Sequence, residues 1–74
     1  MKANTAEAFG RAIRERRKEL GYTQAQVAAF SGCSAPFLSA LENGKPTAEL
    51  ERSLRVACTL GLDTFVVSRE EGPR

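Results

Sequence analysis

A cluster of basic side chains near the N-terminus is the first feature of this chain that could carry chemistry. Five of its eleven Lys and Arg residues fall close together, with Glu15 as the one acid among them. They are Arg11, Arg14, Arg16, Arg17 and Lys18. A local excess of positive charge is the electrostatic pattern expected where a protein neutralises phosphates. A solvated helix face has the same pattern, so both interpretations stand at this point.

The residue types needed for catalysis or for a metal site are sparse. The chain has two cysteines, Cys33 and Cys58, no histidine and no CxxC pair. Neither a zinc site nor a disulfide framework is expected, and both cysteines are predicted to be buried or half-buried thiols. There is no Gly-rich phosphate loop or carboxylate cluster, and Cys33 has no base to activate it. We therefore predict no enzymatic activity, no catalytic residues, no cofactor, no metal and no small-molecule substrate.

Chain length and hydropathy narrow the remaining classes of protein. At 74 residues the chain is expected to form one small domain, and such chains often gain stability by dimerising. No apolar run approaches the roughly 18 residues of a membrane span. The N-terminal MKANTAEAFG has no hydrophobic signal-peptide core. We expect a cytoplasmic protein without membrane contact.

Capping residues and glycines indicate four helices, of which the first two precede Gly32. Asn4 is the predicted N-cap of the first helix, which extends to about residue 20. Arg16 interrupts its apolar face, so we expect the stem to pack and the guanidinium to reach water. Thr23 and Gln26 form a capping box for a short second helix, which Gly32 ends.

The third and fourth predicted helices are delimited in the same way. Ser34 precedes the third helix, which tolerates Pro36 in its first turn and ends at Asn43. Thr47 is the predicted N-cap of the fourth helix. Its apolar face is expected to consist of Leu50, Leu54, Ala57 and Leu60.

The segment that follows the fourth helix favours a short strand. Thr64, Phe65, Val66 and Val67 are β-branched or aromatic, and the sequence has no second strand-like segment. The predicted partner is therefore the same strand of a second copy, or a sheet edge on another protein. The alternative is that residues 62–67 extend the core as an apolar coil. We divide the chain into a helical domain, residues 1–61, and a strand with a mobile C-terminal tail, residues 62–74.

Two short helices joined by a turn at Gly32 form the helix-turn-helix arrangement. The first helix of such a pair crosses the DNA backbone and holds the second in the major groove, which is about 12 Å wide. Ala28 is small enough to let the two helices approach closely. The spacing therefore predicts binding to double-stranded DNA through the major groove.

The motifs RRKELGYTQ, SALENGKPT and LRVACTLGLDTFVV resemble those of phage-repressor-type (Xre, Cro/cI) helix-turn-helix domains, and most of all the small HipB-like antitoxins. The resemblance spans residues 9–67. It implies an all-α, lambda-repressor-like bundle of four to five short helices, with a C-terminal strand that pairs across a homodimer. It also implies a repressor of an inverted-repeat operator and, for antitoxins, a HipA-like kinase toxin as partner.

The resemblance further implies roles for individual residues. Arg17 and Glu42 match a buried ion pair of the family. Four residues at the start of the second helix and after the third match phosphate contacts: Thr23, Gln24, Asn43 and Lys45. A side-chain amide and free helix N–H groups suit this role. Simple capping or solvation is the alternative for each residue.

The positions that would face the bases carry small side chains. They are Ser34, Ala35, Pro36 and Ser39. None has the forked group that reads guanine or adenine through two hydrogen bonds. Serine hydroxyls and apolar contact with a thymine methyl remain, so specificity is expected to depend on DNA shape, half-site spacing and phosphate register. Phe37 is expected to be partly buried.

Three functions are compatible with these observations. The first is a dimeric autorepressor that is also an antitoxin. The second is a stand-alone or phage-type regulator without a toxin. The third is a helical adaptor that binds only protein, suggested by the poor set of base-reading side chains, and it would lack DNA affinity even at low salt.

Overall fold

The computed structural model describes residues 4–65, which contain four helices. They are α1 (Ala6–Glu19), α2 (Gln24–Ser31), α3 (Ala35–Glu42) and α4 (Leu50–Thr59). α3 packs against α1 and α2, and α2 also packs against α4. The predicted all-α bundle of short helices is confirmed.

The two helices of the central pair begin at the caps that the sequence predicts. The Gln26 amide donates to Thr23 Oγ1 at 3.1 Å and the Thr23 amide donates to Gln26 Oε1 at 2.9 Å, which completes the capping box. The Phe37 amide donates to Ser34 Oγ at 3.1 Å. Gly32 has a φ of 71°, the left-handed conformation that ends α2 and turns the chain into α3.

The predicted caps of the outer two helices are wrong. Thr5, and not Asn4, caps α1, because its Oγ1 accepts a 3.0 Å hydrogen bond from the Ala8 amide. Glu49, and not Thr47, caps α4, with its Oε1 2.8 Å from the Glu51 amide. In each case a second residue with a suitable oxygen stands one or two positions further on, and tertiary packing decides where the helix begins.

One apolar core holds the four helices together. Its residues come from every helix: Ile13, Val27, Ala28, Leu38, Leu41, Val56, Ala57 and Leu60. Phe9, Cys33 and Phe37 are half-buried against it, as expected for Phe37. Cys58 is exposed, so the expectation that it is buried or half-buried is wrong.

Gly10 sets the distance between α1 and α3. A Cβ at this position would collide with the backbone carbonyl oxygen of Leu41, so α1 approaches the backbone of α3 as closely as a glycine allows. This contact fixes the end of α3 against the middle of α1.

The apolar face of α4 differs from the prediction. Ala57 and Leu60 are buried, but Leu50 is 69% exposed and Leu54 is 38% exposed. Ser53 takes the expected place of Leu50 against the core, and its hydroxyl donates to the Glu49 carbonyl oxygen at 2.7 Å. The helix is therefore rotated so that its two N-terminal leucines face outward.

The described residues after α4 are not helical. Leu62 packs partly against the core, and its amide donates to the Ala57 carbonyl oxygen at 2.9 Å. No strand occurs in residues 4–65, and Thr64 and Phe65 have irregular backbone with Phe65 67% exposed. Val66 and Val67 lie outside the described residues, so the strand remains a prediction.

Candidate nucleic-acid interface

The candidate base-reading residues lie on the accessible side of α3. Leu38, Leu41 and Glu42 face inward. Of the four predicted base contacts, Ser34 and Pro36 are exposed, whereas Ala35 and Ser39 are half-buried. The Ser34 oxygen already accepts the capping bond, so its hydroxyl remains mainly as a donor. This side of α3 offers small groups that a base edge can approach closely.

Arg17 and Glu42 form a buried, two-pronged ion pair that joins α1 to the end of α3. Arg17 Nε donates to Glu42 Oε2 at 2.7 Å, and Nη2 donates to Oε1 at 3.0 Å. Nη1 of the same guanidinium donates to the Tyr22 carbonyl oxygen at 2.8 Å. Three of the five guanidinium donors are therefore satisfied within the protein, which fits a positioning role for Arg17.

The ion pair also holds Gln24. Its side-chain nitrogen donates to Glu42 Oε1 at 3.0 Å, so the first residue of α2 is tied to the last residue of α3. One N–H and the carbonyl oxygen of this amide remain for an outside partner. This bond could not be predicted from sequence, because its partners are far apart in the chain.

Charge and burial act in opposite directions on Glu42. Burial raises the pKa of its carboxyl group, but hydrogen bonds from Arg17 and Gln24, together with the charges of Arg17 and Arg14, outweigh burial. The pKa of Glu42 therefore lies below its ordinary value, and the carboxylate stays ionised at neutral pH. The hydrogen bond to Glu42 raises the pKa of Arg17.

The turn after α3 presents the other two candidate phosphate contacts. The Lys45 amide donates to the Ala40 carbonyl oxygen at 3.1 Å and the Gly44 amide to the Leu41 carbonyl oxygen at 3.0 Å, the pattern of a Schellman motif. Gly44 has a φ of 83°, which makes this turn possible. The side chains of Asn43 and Lys45 are both exposed.

The candidate contacts fall into two groups in space. Thr23, Gln24 and Asn43 gather where α2 begins and α3 ends, through the Gln24–Glu42 bond. Lys45 instead lies with Ser34 and Pro36 along an open groove of about 400 Å³ between α3 and the start of α4. A candidate phosphate contact and two candidate base contacts thus share one groove.

The side chain of Arg16 is 37% exposed, in line with the prediction that its guanidinium reaches water, but the guanidinium also bonds within the protein. Its Nε donates to the Leu60 carbonyl oxygen at 2.9 Å, and Nη1 lies 3.2 Å from Glu19 Oε1. The side chain thereby caps the C-terminal end of α4 and connects it to α1. This residue of the basic cluster is occupied with holding the bundle together.

Residues 4–65 contain neither a metal-ligand cluster nor a membrane-spanning helix. No group of three or more His, Cys, Asp or Glu side chains there could hold a metal ion. None of the helices in that range is long and apolar enough to cross a membrane.

Comparison with known proteins gives sequence and structural relatives. A family model described as helix-turn-helix (HTH_3) matches residues 13–67. The uncharacterized HTH-type transcriptional regulator y4mF of Sinorhizobium fredii (strain NBRC 101917 / NGR234) is 35% identical over 63 residues, covering 85% of this chain and 83% of that protein.

Solved structures share the fold over most of the chain. HipB in a complex with an O4 20mer superposes with a TM-score of 0.82 at 20% identity, covering 95% of this chain and 99% of that one. The HipA-HipB-O2-O3 complex gives the same values. The restriction-modification controller protein C.AhdI from Aeromonas hydrophila superposes with a TM-score of 0.69 at 28% identity, covering 78% of this chain and 84% of that one.

The helices α2 and α3, their connecting glycine turn and the family match all lie in the same part of the sequence. The relative y4mF aligns over most of both proteins. The chain therefore belongs to the Xre-type helix-turn-helix family of DNA-binding transcriptional regulators.

Proposed function

We propose that the protein is a dimeric repressor that binds an inverted-repeat operator near its own gene. The observation that carries this proposal is the accessible side of α3. Ser34 and Pro36 are exposed at the start of this helix and Ser39 is half-buried, and candidate phosphate contacts lie at its C-terminal end and along the groove beside it. An α-helix presented in this way can enter a major groove while flanking groups bind the backbone.

Dimerisation is supported by apolar side chains that the single chain leaves exposed. Leu50, Leu54 and Phe65 are large and accessible, and two of them lie on the outer face of α4. Contiguous exposed apolar surface marks protein–protein contacts, whereas single exposed apolar residues are common on monomers. In a two-fold dimer the recognition helices would lie roughly 34 Å apart, one turn of duplex, which predicts the inverted repeat.

A substitution at Phe65 tests whether residues 62–74 form the dimer interface. Phe65→Ser should shift the protein toward monomer in sedimentation, because it removes an apolar side chain of the predicted strand. Phe30→Ser is the matched control, since Phe30 is also an exposed phenylalanine but lies on α2. Deleting residues 62–74 should have the same effect as Phe65→Ser. A truncated protein that stays fully dimeric would exclude this segment as the interface.

The same proposal includes an antitoxin role against a HipA-like kinase toxin. It is supported by the likeness to HipB, whose structures include a complex with HipA and operator DNA, over nearly the full length of both chains. Copurification of this chain with the product of an adjacent kinase-like gene would support it. An isolated gene with no such neighbour would favour the second candidate, a stand-alone regulator, which the likeness to the controller protein C.AhdI supports.

Fluorescence anisotropy with the DNA upstream of the gene tests the central proposal. A scrambled duplex of the same composition is the control, and both are titrated at two salt concentrations. Tighter, salt-dependent binding to the upstream DNA is expected. Equal binding to both duplexes would contradict the operator proposal. No binding to either at low salt would favour the adaptor that binds only protein.

A further inference from the structure

A polar cleft lies between α1 and the end of α3, on the side of Asn43. It has a volume of about 210 Å³. Its lining residues are Glu7, Arg11, Arg14, Glu42 and Asn43. Asn43 is one of the candidate phosphate contacts, whereas the two arginines belong to no site assigned so far.

The two arginines of this cleft differ from the other arginines of the described chain. Arg16, Arg17, Arg52 and Arg55 each form an ion pair with a glutamate. Arg11 and Arg14 are exposed and make no hydrogen bond or ion pair with another residue in the range 4–65. Three residues apart on one helix, they present two guanidinium groups on the same face.

The acids of the cleft leave this positive charge largely uncompensated. Both oxygens of Glu42 accept hydrogen bonds from Arg17, and one also accepts from Gln24, so this carboxylate is already neutralised. Glu7 is the remaining acid, and its Cγ would lie 3.0 Å from a Cβ at Gly44, which places its stem against the turn after α3. Two positive charges therefore face one unpaired negative charge.

We propose that Arg11 and Arg14, together with Asn43, bind a DNA phosphate and extend the backbone contact from α3 onto α1. Guanidinium groups suit this ligand because their planar donors match phosphate oxygens. Asn43 adds an amide donor from the other wall of the cleft. The site rests on the DNA binding proposed above, but it is independent of any particular sequence because it contacts only backbone.

The test compares charge-removing with charge-keeping variants on scrambled and upstream duplexes. Arg11→Gln/Arg14→Gln should weaken binding to both duplexes equally, by roughly fivefold to tenfold near 0.1 M salt, and lower the salt slope by roughly one unit, because one phosphate contact is lost. Arg11→Lys/Arg14→Lys should keep most of the slope. Glu7→Gln should bind both duplexes more tightly than the wild type. Circular dichroism melting would verify that each variant is folded.

Arg55→Gln is the control for charge outside the cleft, compared per charge removed, since it removes one exposed charge on α4, where Arg55 pairs with Glu51 at 3.6 Å. Equal affinity and salt slope for the Arg11→Gln/Arg14→Gln and Arg55→Gln variants would overturn the site. So would a loss of slope in the lysine variant as large as in the glutamine variant. Wild-type protein that binds no duplex would overturn both the site and the DNA-binding function. A loss on both duplexes without preference for upstream DNA would support the site and contradict only the operator.

Discussion

The two ends of α3 are built in opposite ways. At the C-terminal end, Glu42 is buried, bound by Arg17 and Gln24, and followed by a glycine turn. At the N-terminal end, Ser34 forms one capping bond, and Ala35 and Pro36 carry no polar side-chain group at all. The difference indicates that several interactions hold α3 in position, whereas few of its side chains can form hydrogen bonds to bases. Sequence preference is then expected to come mainly from DNA shape and from where the backbone contacts fall.

The largest loss of stability at the C-terminal end of α3 is expected when one member of the Arg17–Glu42 ion pair is removed. Glu42→Ala leaves Arg17 buried without its partner and Gln24 without its acceptor, so the free energy of unfolding should fall by about 3–5 kcal/mol. Urea denaturation measures this change. Glu51→Ala, which breaks an exposed pair with Arg55, should cost less than about 1 kcal/mol. Equal losses in the two variants would show that the end of α3 is not specially stabilised.

Gly10→Ala tests the same end through packing alone. The added methyl group collides with the Leu41 carbonyl oxygen, so α1 must move away from α3, at a cost of roughly 1–3 kcal/mol. Thermal unfolding measures the loss. Gly21→Ala is a useful comparison, because a Cβ there would meet no atom, although its φ of 78° adds backbone strain. A Gly10→Ala protein as stable as the wild type would mean that α1 and α3 tolerate separation.

The stabilisation at this end should also depend on pH. Because the pKa of Glu42 is lowered by folding, its contribution is present above the unfolded glutamate pKa, about 4.3, and is lost as the pH falls through the lower folded value. The stability advantage of the wild type over Glu42→Gln should therefore be constant near neutral pH and shrink in acid. An advantage that grew on acidification would contradict the lowered pKa.

The smallest expected effects separate the two kinds of DNA contact. Lys45→Ala should weaken binding to all duplexes and lower the salt slope by about one unit, because one phosphate contact is lost. Ser39→Ala should instead change the ranking of operator variants with little change in slope. Lys45 is a better probe than Gln24, since the Gln24 side chain also holds Glu42. If Lys45→Ala and Ser39→Ala behaved alike on every duplex, the division into phosphate and base contacts would be wrong.

The caps of α2 and α3 were predictable from sequence, whereas the packing of α1 and α4 was not. Thr23, Gly32 and Ser34 act within one turn of their own helix, so their residue types suffice to place them. The rotation of α4 that exposes Leu50 depends on which face meets α2, a matter of packing between distant segments. The role of Gly10 could not be predicted, because it depends on the backbone carbonyl group of Leu41. The residues next to Gly10 in the sequence do not indicate that contact.

The candidate site shows the same division. The motif resemblance implied an Arg17–Glu42 ion pair and, separately, a phosphate contact by Gln24, whereas the structure joins the three residues in one hydrogen-bonded group. Arg11 and Arg14 stood in the sequence only as members of a basic cluster. Unlike Arg16, they form no hydrogen bond or ion pair within residues 4–65, and this difference is visible only in three dimensions.

The bond between Gln24 and Glu42 has a consequence for the thermodynamics of DNA recognition. It joins the beginning of α2 to the end of α3 in the free protein. The candidate phosphate contacts at these two helix ends are therefore already in their relative positions before DNA binds. Binding then needs little ordering of the Gln24 side chain, and the entropy that this ordering would cost is lost during folding instead. Conformational preorganisation of this kind would let a surface of serine, alanine and proline contribute measurable affinity.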